Sequence, residues 1–307
     1  MSMPVESDRD HRFIARAVDL AKNGLYTTKP NPRVGCVVVQ GDEIVGEGWH
    51  ERAGESHAEI HALSAAGERA KGSEIFVSLE PCAHTGRTGP CAEALVDAGV
   101  KRVVAAMIDP NPQVAGRGIE MLRSAGIEAE ISEKDCGAVE LNAGFCKRMA
   151  SGRPLVRLKV AATMDGRTAA NDGSSQWITG EAARAEVHAL RARSCAIVTG
   201  IGTVREDDPR LNARVDEDVV QPLRVVLDGN SQLDPDARLF SEPGDVLVIT
   251  SRENDEGYGF DARTEQLCLA GEDGRVDVAG VLNILAARSC NEVLVEAGAG
   301  VAGAFVS

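Results

Sequence analysis

The sequence predicts an α/β protein built as two domains. Short apolar, β-branched runs alternate with helical periods along the whole chain. At 307 residues the chain is longer than one ordinary core holds. The polar, proline-containing stretch Ser151-Gly152-Arg153-Pro154 interrupts the alternation, so the domains are read as 1–150 and 154–307.

In the first domain, residues 8–22 set Phe13, Ala17, Val18 and Ala21 at helical spacing behind Asp8 as N-cap, and Asn23-Gly24 stops the helix. Lys29-Pro30-Asn31-Pro32-Arg33 then leads into a buried strand over 34–39. Gly41-Asp42 turns the chain and 43–49 returns beside it as a hairpin. Residues 57–70, rich in Ala, Glu and Leu, predict a helix with His57 and Glu59 in its first turn. The next strand, 73–79, leaves Cys82 just past its C-terminal end, where α/β sheets collect reactive groups. Cys91 opens a helix over 91–98, followed by strand 100–107, helix 119–125, strand 127–131 and helix 134–150.

The second domain starts with strand 155–161, a turn at 163–167 and a polar loop over 173–180 that carries Trp177. Helix 181–193 bears Arg184, Arg191 and Arg193, and strand 195–199 feeds Gly200-Ile201-Gly202-Thr203-Val204. Strands 223–227, 246–250 and 292–296, with helix 278–288, complete a mainly parallel sheet. After the last strand, Gly298 to Gly303 fits the loop pattern G-x-G-x-x-G, whose glycines let backbone amides approach a phosphate. An orthodox Rossmann unit needs another strand and an acid about 20 residues on. Neither follows here, so that unit is excluded for this stretch.

The net charge of −14 argues against a nucleic-acid groove or an anionic membrane surface, both of which need clustered Lys and Arg. A small phosphorylated substrate needs only a few local arginines. No apolar run reaches the ~18 residues of a membrane span. Residues 1–10 carry acids and no apolar core, so neither a signal nor a transit peptide is expected and the cytoplasm is the default. Eight cysteines are too sparse for a disulfide scaffold. Cys36, Cys136, Cys146, Cys195, Cys268 and Cys290 are read as small buried hydrophobes.

His57, Cys82 and Cys91 are different. One imidazole and two thiols give the three-ligand count of a catalytic zinc, which keeps its fourth position for water. Glu59, two residues past the histidine, is the natural proton shuttle for that water. A structural zinc would take a fourth protein ligand, for which His61 and His84 are available. A metalloprotease helix needs Glu directly after its first His, and that position is Ala58. Zinc lowers the pKa of a bound water to about 7. Glu59 would then take the water proton and pass it to a ring nitrogen and to departing ammonia, the chemistry of zinc nucleobase deaminases.

Those deaminases usually carry Pro-Cys-x-x-Cys, whereas eight residues separate Cys82 from Cys91 here. With Asn31-Pro32-x-Val34-Gly35, Gly48-Trp49-His50, Gly54-x-x-His57-Ala58-Glu59 and Leu79-Glu80-Pro81-Cys82-x-His84-x-Gly86-Arg87-Thr88-x-Pro90-Cys91, the sequence resembles the bifunctional deaminase/reductase family of riboflavin biosynthesis. Gly89 stands where the family more often has a second proline. The resemblance implies a cytidine-deaminase-like three-layer α/β/α domain with zinc on His57, Cys82 and Cys91 and Glu59 as acid and base. It also implies a substrate pocket lined by Asn31, His50, His84 and Arg87. An arginine fork suits a phosphate and an asparagine amide suits a ring edge.

The second half resembles the same family's reductase through Lys159-x-Ala161-x-x-x-Asp165-Gly166-Arg167, Ser175-Gln176-Trp177-Ile178-Thr179, Asp207-Asp208-Pro209-x-Leu211 and Val295-Glu296-Ala297-Gly298. A dihydrofolate-reductase-like α/β domain using NADPH is implied. Ala161, Trp177, Thr203, Asp207, Gly229 and the loop of Gly298, Ala299, Gly300, Val301, Ala302 and Gly303 would contact the nucleotide. Ser175, Arg191, Leu211, Arg214 and Glu296 would contact a phosphoribosyl substrate. The expected reactions are zinc-dependent hydrolytic deamination of 2,5-diamino-6-ribosylamino-4(3H)-pyrimidinone 5′-phosphate, then NADPH reduction of 5-amino-6-(5-phosphoribosylamino)uracil to the ribitylamino product. The family's reductase half continues past 304–305, so its last strands are expected to be missing here, with homo-oligomers expected where those strands are present. The alternative reading is a deaminase whose second half is a non-catalytic binding or assembly module.

Overall fold

The computed structural model describes residues 8–83, 89–171, 174–175, 177–253 and 262–306. The chain splits into two compact units, Met1–Ser151 and Gly152–Ser307.

The first unit is a five-stranded sheet between two helical layers. Its elements are α1 (Asp8–Ala21), β1 (Gly35–Gln40), β2 (Glu43–Trp49), α2 (Ala58–Ala66), β3 (Glu74–Val77), α3 (Cys91–Asp97), β4 (Arg102–Ala105), α4 (Arg117–Ser124), β5 (Glu128–Ile131), α5 (Ala138–Leu141) and α6 (Ala143–Ser151). The order across the sheet is β2-β1-β3-β4-β5. The β1–β2 and β1–β3 pairs are antiparallel, and the β3–β4 and β4–β5 pairs parallel. The strand period of two divides the core. Cys36, Val38, Ile75, Val77, Val103 and Ala105 pack beneath α2, α3 and α4, while Val37, Val39, Phe76 and Val104 pack against α1, α5 and α6.

Glycine sets the distance between β2 and α2. A Cβ at Gly46 would lie 2.3 Å from the Ala62 carbonyl oxygen, and one at Gly48 would lie 2.6 Å from that of Ala58. The helix bearing Glu59 therefore rests main chain on main chain.

The helix expected over 134–150 is interrupted at Asn142. This residue is fully buried, and its amide pairs with both main-chain groups of Arg33, accepting from N at 2.8 Å and donating to O at 2.9 Å. The side chain closes the entry to β1, and the helix breaks around it.

The second unit comprises β6 (Leu155–Lys159), α7 (Glu181–Arg193), β7 (Ala196–Gly200), α8 (Ile201–Asp207), β8 (Leu223–Leu227), β9 (Val246–Thr250), β10 (Thr264–Cys268), α9 (Val278–Ala287), β11 (Glu292–Glu296) and α10 (Ala299–Val306). Its sheet runs β10-β9-β8-β7-β11-β6, and every pair is parallel. Val198, Val225, Leu247 and Val295 pack with α9, while Val226 and Val248 pack with Val204 of α8.

Three features of this unit add to or correct what the sequence predicts. The stretch after Gly200 is a helix, anchored by Val204 under the sheet. The 298–303 stretch is not a loop but the entry and first turns of α10, with Ala302 N bonded to Gly298 O at 3.0 Å. Strand β10, with its polar Thr264, Glu265 and Gln266, pairs only with β9 at the sheet edge, where no apolar run is needed. The six remaining cysteines are also not uniformly buried: Cys36 and Cys290 are, Cys136, Cys146 and Cys195 are half-buried, and Cys268 is exposed.

Candidate functional site

In the first unit, three elements bring His57, Cys82 and Cys91 together. His57 is the N-cap of α2, one residue outside the helix predicted to contain it, with φ −78° and ψ 165°. Cys82 follows the C-terminal end of β3, and Cys91 is the first residue of α3. His57 Nδ1 lies 3.2 Å from Cys91 Sγ and 3.7 Å from Cys82 Sγ. The Cys91 N–H donates to Cys82 Sγ at 3.3 Å, and the Ala92 N–H to the Cys82 carbonyl at 3.1 Å.

Zn–N and Zn–S bonds of about 2.0 and 2.3 Å at the tetrahedral angle set N···S at roughly 3.6 Å. The two observed spacings straddle that value, and all three ligand atoms lie within 4.8 Å of one another. The residues fit zinc.

Without a cation the two thiols divide their charge unequally. A hydrogen bond from Cys91, outweighing burial and joined by His57, lowers Cys82 to about 4. Cys91, the donor of that bond and itself buried, is pushed far above the ordinary thiol range. His57 is raised by its bond to Cys82. A dication among these groups displaces the remaining proton.

Glu59 sits in the first turn of α2 and is 3% exposed. Burial, reinforced by the negative Cys82, raises it to about 7. A carboxyl group poised near neutrality can both accept and return a proton.

His50 is buried, and burial lowers its pKa. Its Nδ1 faces the Ser56 carbonyl at 3.0 Å, so that nitrogen carries the hydrogen. Its Nε2, 3.0 Å from Asn31 Nδ2, must then accept from the amide, which leaves Asn31 Oδ1 as a free acceptor. His84 and Arg87 lie outside the described residues.

In the second unit, Arg191 near the end of α7 makes a two-pronged ion pair with Glu296 at the C-terminal end of β11, at 2.6 and 3.0 Å. Its Nη1 donates to the Asn212 carbonyl at 3.2 Å. Lys159 Nζ approaches the same glutamate at 3.9 Å. Arg214 is exposed, and its guanidinium bonds to Asn212 Oδ1 at 2.5 Å and faces His188 Nε2 at 3.0 Å. Burial and the neighbouring charges of Arg191 and Arg210 depress the Arg214 pKa. Leu211, buried with φ 51°, turns the chain between α8 and this cluster.

Sequence reasoning missed His188 and Asn212. His188 precedes Arg191 by three residues, so helical spacing alone could have flagged it. Asn212 carried no motif.

Most of the residues predicted for the nucleotide lie at the carboxyl ends of parallel strands, the customary ligand edge, whereas Asp207 ends α8. Ala161 follows β6, Thr203 sits in the first turn of α8 after β7, Gly229 follows β8, and Gly298 to Gly303 follow β11. A Cβ at Gly200 would fall 2.7 Å from Val301 Cγ2, so α8 and α10 start side by side. Trp177 is 71% exposed, with the Arg184 guanidinium 4.6 Å above its ring. Among the described residues, no hydrogen bond joins Ser175 or Asp207 to the Arg191 cluster.

Residues 7–107 match the cytidine and deoxycytidylate deaminase zinc-binding region, and residues 154–307 match the RibD C-terminal domain. Riboflavin biosynthesis protein RibD of Escherichia coli is 46% identical across 97% of this chain and 84% of the relative. The Bacillus amyloliquefaciens protein of the same description is 42% identical across 96% of this chain and 80% of its own length. The solved RibD structure from Acinetobacter baumannii superposes with TM-score 0.90 at 47% identity, covering 98% of this chain and 84% of that one. A Thermotoga maritima structure described as a diaminohydroxyphosphoribosylaminopyrimidine deaminase/5-amino-6-(5-phosphoribosylamino)uracil reductase gives 0.87 at 36%, covering 97% and 83%. No described helix is long and apolar enough to cross a membrane.

Proposed function

Because this chain belongs to the RibD family of bifunctional riboflavin-biosynthesis enzymes, we propose that it deaminates 2,5-diamino-6-ribosylamino-4(3H)-pyrimidinone 5′-phosphate in its first unit. Its second unit then reduces 5-amino-6-(5-phosphoribosylamino)uracil with NADPH. The convergence of His57, Cys82 and Cys91 beside buried Glu59 carries the first assignment.

Zinc, when bound, lowers the pKa of a water molecule toward neutrality and so supplies the nucleophile. Glu59 takes one proton of that water and delivers it to the ring nitrogen; it then takes the proton of the hydroxyl added to the ring carbon and delivers it to the exocyclic amine, which leaves as ammonia. The ring carbon thereby exchanges its C–N bond for C–O. His50 keeps the Asn31 amide turned so that Oδ1 accepts from a donor edge of the pyrimidine. His84 and Arg87, read from sequence alone, complete this pocket, with Arg87 on the phosphate.

In the second unit, Glu296 aims Arg191, while Asn212 and His188 present Arg214 without neutralising it. An arginine among neutral partners retains its full attraction for a phosphate. Leu211 and Ser175 line the same substrate. The N–H groups at the starts of α8 and α10 face the nucleotide phosphates near Thr203 and Gly298 to Gly303. Ala161, Trp177, Asp207 and Gly229 form the rest of the nucleotide wall. The match of 154–307 to the RibD C-terminal domain does not favour a second half that only binds or assembles.

Glu59→Ala is the first test. Zinc content should stay at one per chain while ammonia release stops; retained turnover would defeat the assignment. Calorimetric titration with NADPH tests the second unit, where absence of binding would remove the reductase. As part of the same proposal, and on the family resemblance, we place the enzyme in the cytoplasm, as a homo-oligomer where the family's last strands are present. Fractionation and light scattering check both.

A further inference from the structure

Two residues before Cys82, Glu80 holds four main-chain N–H groups on one carboxylate and is only 3% exposed. Oε2 accepts from Asp109 at 3.1 Å and Gly116 at 2.9 Å, and Oε1 from Gly118 at 2.8 Å and Ile119 at 3.3 Å. Two of these donors belong to the first turn of α4, where N–H groups have no partner within the helix. The mechanism above uses neither Glu80 nor α4.

The consequence reaches the metal centre through one glycine. A Cβ on Gly118 would lie 1.9 Å from the Pro81 carbonyl oxygen, so α4 presses on the peptide that joins Pro81 to Cys82. The peptide on the other side of Cys82 is held by its own carbonyl, which accepts from Ala92 at 3.1 Å. Both peptide planes flanking the cysteine are thus pinned, one by α4 and one by α3. With both planes fixed, the direction of the Cys82 Cα–Cβ bond is fixed as well. The Glu80 carboxylate, with its two oxygens, ties the first turn of α4 in this position.

We propose that Glu80 is a positioning residue for the metal centre: by anchoring the first turn of α4 against the Pro81–Cys82 peptide, it aims the Cys82 thiolate at the ion. This rests on the reading of His57, Cys82 and Cys91 as zinc ligands. Groups that orient metal ligands from behind typically change metal affinity by roughly 10- to 100-fold when removed. A glutamine keeps the shape of Glu80 but offers one acceptor oxygen and turns an NH2 toward N–H donors.

The test uses the full chain loaded with zinc and follows metal release to a coloured chelator. Glu80→Gln should release zinc roughly 10- to 100-fold faster than the parent, and the cobalt(II)-substituted protein should show altered thiolate-to-cobalt absorption. Gly118→Ala, which displaces the Pro81 carbonyl by another route, should do the same and carries the test if Glu80→Gln does not fold. Arg102→Gln is the control, since it breaks a buried ion network at the opposite end of β4 and lowers stability without touching the Cys82 peptides. Release from Glu80→Gln and Gly118→Ala no faster than from Arg102→Gln would overturn the proposal. A parent chain that takes up no zinc would instead overturn the metal-centre reading on which it rests.

Discussion

Arg191 lays its guanidinium edge against the Glu296 carboxylate, Nε to Oε1 at 2.6 Å and Nη2 to Oε2 at 3.0 Å, with both side chains largely buried. The pair spans from the end of α7 to the end of β11; with the Nη1 bond to the Asn212 carbonyl, it leaves two of the five arginine N–H groups without a partner among the described residues. Glu296→Gln removes the charge and one of the two acceptors. The KM of the reductase for its phosphorylated substrate should rise by about 10-fold, the scale of one charge-assisted hydrogen bond. The dissociation constant for NADPH should stay put. An unchanged KM in steady-state kinetics would separate this pair from substrate binding.

Zinc removal should make the two thiols of the centre chemically unequal. Cys82, held at about 4 chiefly by the Cys91 hydrogen bond, is a thiolate at neutral pH, whereas buried Cys91 keeps its proton. After chelation, brief iodoacetamide treatment and peptide mass mapping should find Cys82 modified well ahead of Cys91. Exposed Cys268 serves as the internal standard. With zinc restored, Cys82 should be protected. Equal modification of Cys82 and Cys91 in the zinc-free protein would contradict this division of charge.

Acid should unfold the first unit through the network around Arg102. Burial works to raise Asp10 and Glu74, yet bonds from Arg102 and Arg9 hold both below their ordinary values of 3.8 and 4.5. Carboxylates with depressed pKa values contribute stability that is fully present above those values and disappears as pH falls through the folded-state values beneath them. Arg102→Gln should therefore cost about 2 kcal/mol in urea unfolding at pH 7. The gap to the parent should narrow below pH 3.8. A constant gap across that range would show that Arg102 acts through packing alone.

In the second unit, Arg224 is 1% exposed, and its guanidinium bonds to the carbonyls of Leu239, Glu242 and Gly244. Replacing it with Met fills the space but removes the guanidinium donor from all three carbonyls, of which Glu242 keeps a bond from Arg263. A loss of about 3 kcal/mol is expected in chemical denaturation, with the metal content of the first unit unchanged. A loss within ~0.5 kcal/mol would mean that water takes over the three acceptors.

What could be read beforehand follows the physics of each feature. Strand β8 and helix α7 have the bounds expected from sequence, because their apolar period and polar ends are set by local residues. The convergence of His57, Cys82 and Cys91 was legible because ligand chemistry restricts residue types so severely. Features that depend on a distant partner were not. Asn142 looks like an ordinary helix residue until its amide is seen on the Arg33 backbone. His188 gains a role only from Arg214, 26 positions away. The 298–303 glycines suggested a phosphate loop, and tertiary packing of Val301 and Phe305 against the sheet made them helical instead. Strand β10 escaped notice because an edge strand needs few apolar residues.

The glycine contacts between β2 and α2 matter for redesign. A mutational library built to admit a bulkier pyrimidine would find positions 46 and 48 intolerant of every side chain, since each addition collides with the backbone of α2. The helix that bears Glu59 cannot be backed away from the hairpin by degrees. Room for a new substrate has to be found elsewhere, among the residues of the 50–57 turn. Variants that gain a new specificity should accumulate changes there while the floor beneath Glu59 stays glycine.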